Sequence, residues 1–426
     1  MSDTIFALSS GRPPAAISVI RISGPRAHEA GTSIAGGLPE ARHAAVRELR
    51  DPASGEQLDE ALVLRFDGPA SATGEDVVEF HCHGGRAVVD ALLGALERSD
   101  GLRLASPGEF TRRAFEHGRI DLTEAEGLAD LIEAETQSQR KAALSLAEGG
   151  LKVQIAQWQA RLLALSAEAE RAIDYAEEDE FGTNDALSCD CGALATEIGE
   201  WLARPRVELL KDGVRVVVAG PPNSGKSSLI NVIVGTERAI VTDVPGTTRD
   251  HIDVPLSLDG MPIVLTDTAG LRDSDDQVEA LGIARAEALV EAADVLLWLG
   301  DPQGAPAHPR LVRLHGKADL PERGVAPEGS LATSSVTGAG IGVLLEAVTA
   351  LARSILPGED AIMLNRRQAD CLADAERSLR AAGAGHDPVL VAEDLRAARA
   401  AFDRLTGRAG VEDVLDALFG RFCLGK

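Results

Sequence analysis

Eight residues, Gly220-Pro-Pro-Asn-Ser-Gly-Lys-Ser227, match G-x-x-x-x-G-K-[ST] at every fixed position. The pattern constrains the fold because each part needs a particular neighbour. The glycines let backbone N–H groups close around a phosphate, Lys226 reaches the terminal phosphates, and the Ser227 hydroxyl can hold Mg²⁺. Such a loop must leave a strand and open a helix. Val214 to Ala219 is an apolar run suited to the strand, and Ser227-Ser-Leu-Ile-Asn-Val-Ile-Val234 suits the helix. With Asn223, Ser224, Gly225 and Ser228 in the same turn, this stretch marks a nucleoside triphosphate site in an α/β sheet.

Further segments fall where a GTPase needs them. Asp267, Thr268, Ala269 and Gly270 follow an apolar strand, Ile263 to Thr266. An aspartate there can hold the water shell of Mg²⁺, and the glycine amide can reach the γ-phosphate. Pro245-Gly-Thr-Thr-Arg-Asp250 reads as the first switch, with Thr248 as the Mg²⁺-sensing hydroxyl. In Gly316-Lys317-Ala-Asp319 the carboxylate can accept from both guanine N1–H and the 2-amino group, a donor pair that adenine lacks. Ser334, Ser335 and Val336 form the last base-contacting loop. The usual first residue of the guanine segment is Asn, so Gly316 removes a brace and predicts weaker affinity. Leu271 stands where many such enzymes place a water-orienting Gln. Glu279 is the best carboxylate to replace it, although spacing alone fits an exposed helix glutamate equally well.

A chain of 426 residues is too long for one ordinary core. Residues 1–118 mix short β-type runs (Ala16 to Ile22, Ala61 to Phe66) with Gly/Pro breaks and predict an α+β domain. Residues 119–212 and 354–426 carry helical periodicity, with Thr123-Glu-Ala-Glu126 as a capping-box signal. The α/β module at 213–353 is then inserted into one helical domain. Gly300 to His315 is short and Pro-rich, which predicts a trimmed edge of that module. The formal charge of −25 argues against a broad nucleic-acid surface, so a partner would carry most of any such contact. Five cysteines, no basic-then-apolar N-terminus and no membrane-length apolar run point to a cytosolic protein. Cys189-Asp-Cys191 lacks a second ligand pair, and His81 and His83 alternate around Cys82 as strand residues, so neither predicts a metal site.

Taken with Thr73-Gly-Glu-Asp-Val-Val-Glu79, His81-Cys-His-Gly-Gly85, Ser106-Pro-Gly-Glu-Phe-Thr-Arg-Arg-Ala-Phe115, Asp267-Thr-Ala-Gly-Leu-Arg272, Val278-Glu-Ala-Leu-Gly-Ile283 and the tail Phe422-Cys-Leu-Gly-Lys426, the chain resembles the MnmE (TrmE) family of tRNA modification GTPases over essentially its whole length. The resemblance implies a multidomain α/β protein with a folate-binding N-terminal domain, a helical domain and an inserted Ras-like P-loop GTPase domain. It implies K⁺ held by Asn223, Thr242, Val244 and Thr247 where G domains of a homodimer pair, with Thr242 and Thr247 also at the GTP. Lys226 and Glu279 become catalytic residues, Glu279 orienting water. Arg21, Glu79, Arg119 and Lys426 would surround 5,10-methylene- or 5-formyl-tetrahydrofolate, and Cys423 is a candidate thiol that can equally be packing. The implied partners are tRNA and an FAD-dependent MnmG (GidA) subunit, in a heterotetramer or larger complex. Together they would add a carboxymethylaminomethyl or aminomethyl group to C5 of wobble uridine. The family's early Gly-Arg-Gly appears here as Gly11-Arg-Pro-Pro-Ala-Ala16, which stiffens a loop expected near the folate. Rival readings are a potassium-activated ribosome-assembly GTPase, a folate-dependent aminomethyl transferase with a regulatory G domain, and a nucleotide-gated interaction module.

Overall fold

Helices and strands alternate along the chain as the hydrophobic period switches. The computed structural model describes residues 3–174, 185–204, 207–236, 238–239, 253–267, 287–356, 362–409, 412–422 and 425. Its strands are β1 (Thr4–Leu8), β2 (Ile17–Ser23), β3 (Ala44–Arg50), β4 (Gln57–Phe66), β5 (Val77–His83), β6 (Leu102–Leu104), β7 (Val214–Ala219), β8 (Arg238–Ala239), β9 (Asp253–Leu258), β10 (Met261–Asp267), β11 (Val295–Trp298), β12 (Leu311–His315) and β13 (Ser330–Ala332). The helices are α1 (Ala27–Ala35), α2 (Arg86–Glu97), α3 (Glu109–Glu116), α4 (Leu122–Glu133), α5 (Gln137–Ala147), α6 (Gly150–Asp174), α7 (Asp185–Leu202), α8 (Glu208–Asp212), α9 (Lys226–Thr236), α10 (Ile341–Ile355), α11 (Arg366–Ala384), α12 (Pro388–Thr406) and α13 (Glu412–Phe419). Two compact units result: Met1–Ala129 with Leu151–Ala156 and Ala400–Lys426, and Asp130–Gly150 with Gln157–Arg399.

The first unit is built on a six-stranded sheet in the order β3-β4-β5-β2-β1-β6. Alternation along β2 and β5 sends Ile20, Ile22, Val78 and Phe80 to one face, where they pack with Ile34 of α1 and Leu92 and Leu96 of α2. Each fully buried side chain of this kind contributes roughly 1.5–3 kcal/mol. The same alternation sends Arg21, Glu79 and His81 to the opposite face. Ile17 and Val46 remain 62% and 57% exposed. In the same unit, Leu122 and Ala125 of α4 pack with Leu415, Leu418 and Phe419 of α13.

The start of α4 corrects one expectation. The cap is Asp121, not Thr123: its Oδ1 accepts from the Glu124 amide at 3.0 Å, and Glu124 Oε2 accepts from the Asp121 amide at 2.8 Å. Thr123 lies inside the helix and gives its hydroxyl to Asp121 at 2.7 Å. A carboxylate two residues upstream offers the same reciprocal bonding with a charged acceptor, which the positive helix start favours. Capping boxes also form at Thr136/Gln139 and Asn365/Gln368.

The second unit holds a seven-stranded sheet, β13-β12-β11-β7-β10-β9-β8. From β13 to β10 its neighbours are parallel; β9 and β8 are antiparallel additions at one edge. Leu229, Ile230 and Ile233 of α9 and Leu344 and Val348 of α10 cover one face. Helices that flank this sheet in sequence pack on each other. Ser188 of α7 donates to the Gly383 carbonyl of α11, and the Val207 amide bonds the Leu364 carbonyl at 3.2 Å. The α/β sheet is therefore inserted within a helical fold. The segment Gly300 to His315 ends in β12, which lies between β11 and β13 in the sheet. What is short is the crossover from β11, which carries a 3₁₀ turn at Pro302–Gly304 in place of a helix.

Candidate nucleotide and folate sites

Because β7, β10, β11, β12 and β13 run parallel, their C-terminal ends share one edge of the sheet. Loops leaving that edge carry the described nucleotide-site candidates, as is general for open α/β sheets. Gly220 has φ +153°, and a Cβ there would lie 2.6 Å from the Leu299 carbonyl oxygen, so only glycine lets the loop leave β7 this closely. Asn223 (φ 60°) sits in the left-handed region, which costs about 1–2 kcal/mol for an ordinary residue and less for Asn. Lys226 is 7% exposed, and its ammonium donates to the Gly220 and Pro221 carbonyls, both at 3.0 Å. Ser224 Oγ is buried with no hydrogen-bond partner. Such an orphan costs roughly 1–3 kcal/mol until something accepts from or donates to it. Ser227 Oγ donates to Asp267 Oδ2 at 2.8 Å, which joins two hard oxygen donors at the mouth of the loop. Ser228 is exposed on the first turn of α9.

The segments expected to read the base also meet. Ser334, fully buried, donates to Asp319 Oδ1 at 2.6 Å and accepts from the Val336 and Thr337 amides. The Asp319 carboxylate is thereby held by a hydroxyl from the next loop. Lys317 (φ 59°) reaches back to the phosphate loop, its Nζ donating to the Asn223 carbonyl at 2.8 Å. Ser335 is half-buried, and Val336 is 85% exposed.

In the first unit Arg21 and Glu79 face each other on β2 and β5, Nε to Oε1 at 2.8 Å. The Arg21 guanidinium lies 5.7 Å from the Phe110 ring centroid, and His81 Nε2 is 3.3 Å from Glu79 Oε2. Arg119 is exposed just after α3, where a Cβ on Gly74 would sit 3.3 Å from its Cγ. Gly425 (φ +92°) backs onto the Leu8 carbonyl so closely that any Cβ would overlap it. That contact puts Gly425 beside β1, the neighbour of the strand bearing Arg21.

Two family models cover this chain almost end to end: the TrmE N-terminus of GTP-binding proteins over residues 4–119 and the MnmE helical domain over residues 122–423. Proteins named tRNA modification GTPase MnmE match along the full length. That of Novosphingobium aromaticivorans is 50% identical over 437 residues, covering 100% of both chains. That of Erythrobacter litoralis is 51% identical over 426 residues, again 100% of both, and that of Methylorubrum populi 48% over 436 residues, 100% of this chain and 98% of its own. The chain belongs to the MnmE family. It is accordingly a GTPase.

For this MnmE-family chain, Thr242, Val244, Thr247, Thr248, Thr268, Ala269, Gly270, Leu271, Glu279, Cys423 and Lys426 lie outside the described residues. The two histidines around Cys82 each orient a carboxylate: His81 meets Glu79, and His83 Nδ1 lies 2.8 Å from Asp59 Oδ1. Burial, reinforced by Asp59, pushes the Cys82 thiol up to about 11, and burial likewise raises Cys191 to about 11. Both are packing residues at neutral pH. Sequence reading missed Phe110 beneath Arg21, although Phe110 falls within the Ser106–Phe115 block. It also missed a buried polar cluster below the sheet, in which Arg113 donates to Glu75 and to the Asp3 carbonyl. A cleft of about 710 Å³ beside that cluster is lined by Arg103, Arg112, Glu109, Glu116 and Asp416, each paired with a charge of opposite sign.

Proposed function

We propose that this chain is the GTP-hydrolysing subunit of a complex that adds a carboxymethylaminomethyl or aminomethyl group to C5 of the wobble uridine of certain tRNAs. It acts as a homodimer with an FAD-dependent MnmG subunit, using a folate one-carbon unit and K⁺-dependent pairing of its G domains. One observation carries the reading. The Ser227–Asp267 pair and the Ser334–Asp319 pair lie on one edge of a single sheet, in a chain whose full length matches proteins named for tRNA modification. No helix of the described residues is long and apolar enough to cross a membrane.

The residues present fit the implied groups. Ser227 and Asp267 offer hard oxygens suited to Mg²⁺, with Thr248 as a further ligand, and the orphaned Ser224 hydroxyl suits a phosphate oxygen. Mg²⁺, when bound, neutralises charge on the phosphate oxygens. Lys226 is already buried in the loop, so its cation is preorganised for the terminal phosphates. Asp319, held by Ser334, accepts from guanine. Asn223 contributes to the K⁺ site with Thr242, Val244 and Thr247, and Glu279 orients the attacking water in place of the Gln whose position Leu271 occupies. On the first unit, a cation over an aromatic ring beside a carboxylate suits a pterin with an anionic glutamyl tail, so Arg21 and Glu79, with Arg119 and Lys426, would hold the folate. The partly apolar open face of that sheet, with Ile17 and Val46, suits a second copy.

The test compares modified wobble uridines in tRNA from cells with and without this chain. Loss of the C5 modification is expected, and unchanged nucleosides overturn the function. GTP turnover should be faster in K⁺ than in Na⁺, and Asn223→Ala should abolish that difference. Equal rates in the two salts overturn the cation mechanism alone.

A further inference from the structure

Gly316 opens the guanine loop without the side chain that usually braces it. We propose that Arg323 is a positioning residue that supplies this brace, holding the loop by the Gly316 carbonyl so that Asp319 stays aligned with the base. The proposal rests on reading Gly316–Asp319 as the guanine loop.

A side chain at Gly316 would point at the phosphate loop: its Cβ would lie 3.2 Å from Leu299 Cδ2 and 3.5 Å from the Ser224 carbonyl oxygen. With glycine there, that link between base loop and phosphate loop is missing. The remaining tethers act further along. Lys317 Nζ bonds the Asn223 carbonyl at 2.8 Å, the Ala318 amide bonds the Thr333 carbonyl at 3.0 Å, and Ser334 holds Asp319 at 2.6 Å. The strained Lys317, at φ 59°, gives the loop a reason to relax once its first residue is released.

Arg323 meets this need directly, because its Nε donates to the Gly316 carbonyl at 3.1 Å. Its own backbone is set by a tight local circuit. Pro321 opens a 3₁₀ turn, the Arg323 amide bonds the Leu320 carbonyl at 3.0 Å, and the Leu320 amide bonds the Lys317 carbonyl at 3.0 Å. Between β12 and β13 this turn is the sole helical element, so no crossover helix pins the loop from behind. A guanidinium seven residues downstream takes over the bracing that an asparagine at the loop's first position would give, through the Gly316 carbonyl.

Alignment matters more for the second bond to guanine than for the first. A slack loop lets Asp319 keep one acceptor on N1–H while losing the 2-amino group, so the preference for GDP over IDP, which lacks that group, should report Arg323. With the full-length protein, competition of a fluorescent GDP analogue by GDP and by IDP gives both affinities. Arg323→Ala should weaken GDP roughly tenfold and IDP less, and Arg323→Lys should recover part of the loss. Gly316→Asn in the Arg323→Ala background should restore GDP binding, because the neighbouring Leu299 methyl can yield. Asp319→Ala separates the two levels of the argument. If it leaves the GDP-to-IDP ratio intact, the guanine-loop reading fails and the proposal with it. If it collapses the ratio while Arg323→Ala leaves it unchanged, whatever the melting temperature of that variant, the guanine loop stands and the role of Arg323 is overturned.

Discussion

Replacing Arg113 by methionine should destabilise the first unit severely, because it strands one buried charge. Arg113 and Glu75 are each 7% exposed. Arg113 Nη1 lies 3.2 and 3.1 Å from the two Glu75 oxygens, and Ser23 Oγ donates to the same carboxylate at 2.8 Å. The guanidinium also serves Asp3 and Glu109, at 2.8 and 3.0 Å, yet both of these keep Arg103 as a second cation. Glu75 is therefore the group left uncompensated. Breaking a buried pair from one side costs about 3–5 kcal/mol. In a unit of this size each kcal/mol moves the melting temperature by roughly 2–4 °C, so a fall of about 6–20 °C is expected. Calorimetry of the full chain measures it, with hydrogen exchange in β2 and β5 assigning the transition. Neutralising the partner as well, in Arg113→Met/Glu75→Gln, should recover about 2 kcal/mol or more as coupling energy. A double variant no more stable than Arg113→Met refutes the reasoning.

Gly220→Ala must shift the phosphate loop away from the Leu299 carbonyl, 2.6 Å from its new Cβ, and should weaken GTP at least roughly tenfold by nucleotide titration. Wild-type affinity would show that the loop moves freely. Gly425→Ala forces the tail off Leu8 and should weaken tetrahydrofolate binding by roughly tenfold in calorimetric titration, without changing GTP turnover. The Glu109 carboxyl sits below its usual range: burial pushes it up, but bonds from Arg103, the Ser106 amide and Arg113 outweigh that. A lowered folded value means that this stabilisation is complete above the unfolded value and is lost as pH falls through the folded one. Arg103→Ala should flatten the acid limb of the stability profile, measured by denaturant unfolding from pH 6 downwards in steps. An unchanged limb would remove Glu109 from the account.

Much of the nucleotide site was legible because its chemistry is local. Gly220 to Ser227, with an apolar strand before and a helix after, can be read from spacing alone, and Val214–Ala219 and α9 form as the pattern requires. Strands β9 and β12 were not legible. Pro255 interrupts the first, yet it sits opposite Val264 in an antiparallel ladder where its missing N–H is tolerated. The second, Leu311–His315, carries Arg313 and His315 behind a Pro-rich stretch and so lacks the apolar run of a central parallel strand. The cap of α4 was misplaced by two residues, since Asp121 and Thr123 both satisfy the local rule and only the observed bonds choose between them.

By itself, then, the sequence determined the family and the pattern of the proposed site: a phosphate-loop motif, an aspartate after a strand, a carboxylate suited to guanine, and family blocks that extend from Thr73 to the tail. These depend on residues within a few positions of each other. Tertiary structure alone decided which distant groups complete them. Ser334 holds Asp319, Lys317 bridges to Asn223 across 94 residues, Phe110 lies beneath Arg21, and Arg113 neutralises Glu75. No periodicity encodes such pairs, because they arise from which strand ends a sheet brings to one edge and which charges its core shuts away from water. The same cause explains Gly316. Read along the chain it is a missing brace, and in the folded loop its carbonyl is held by Arg323.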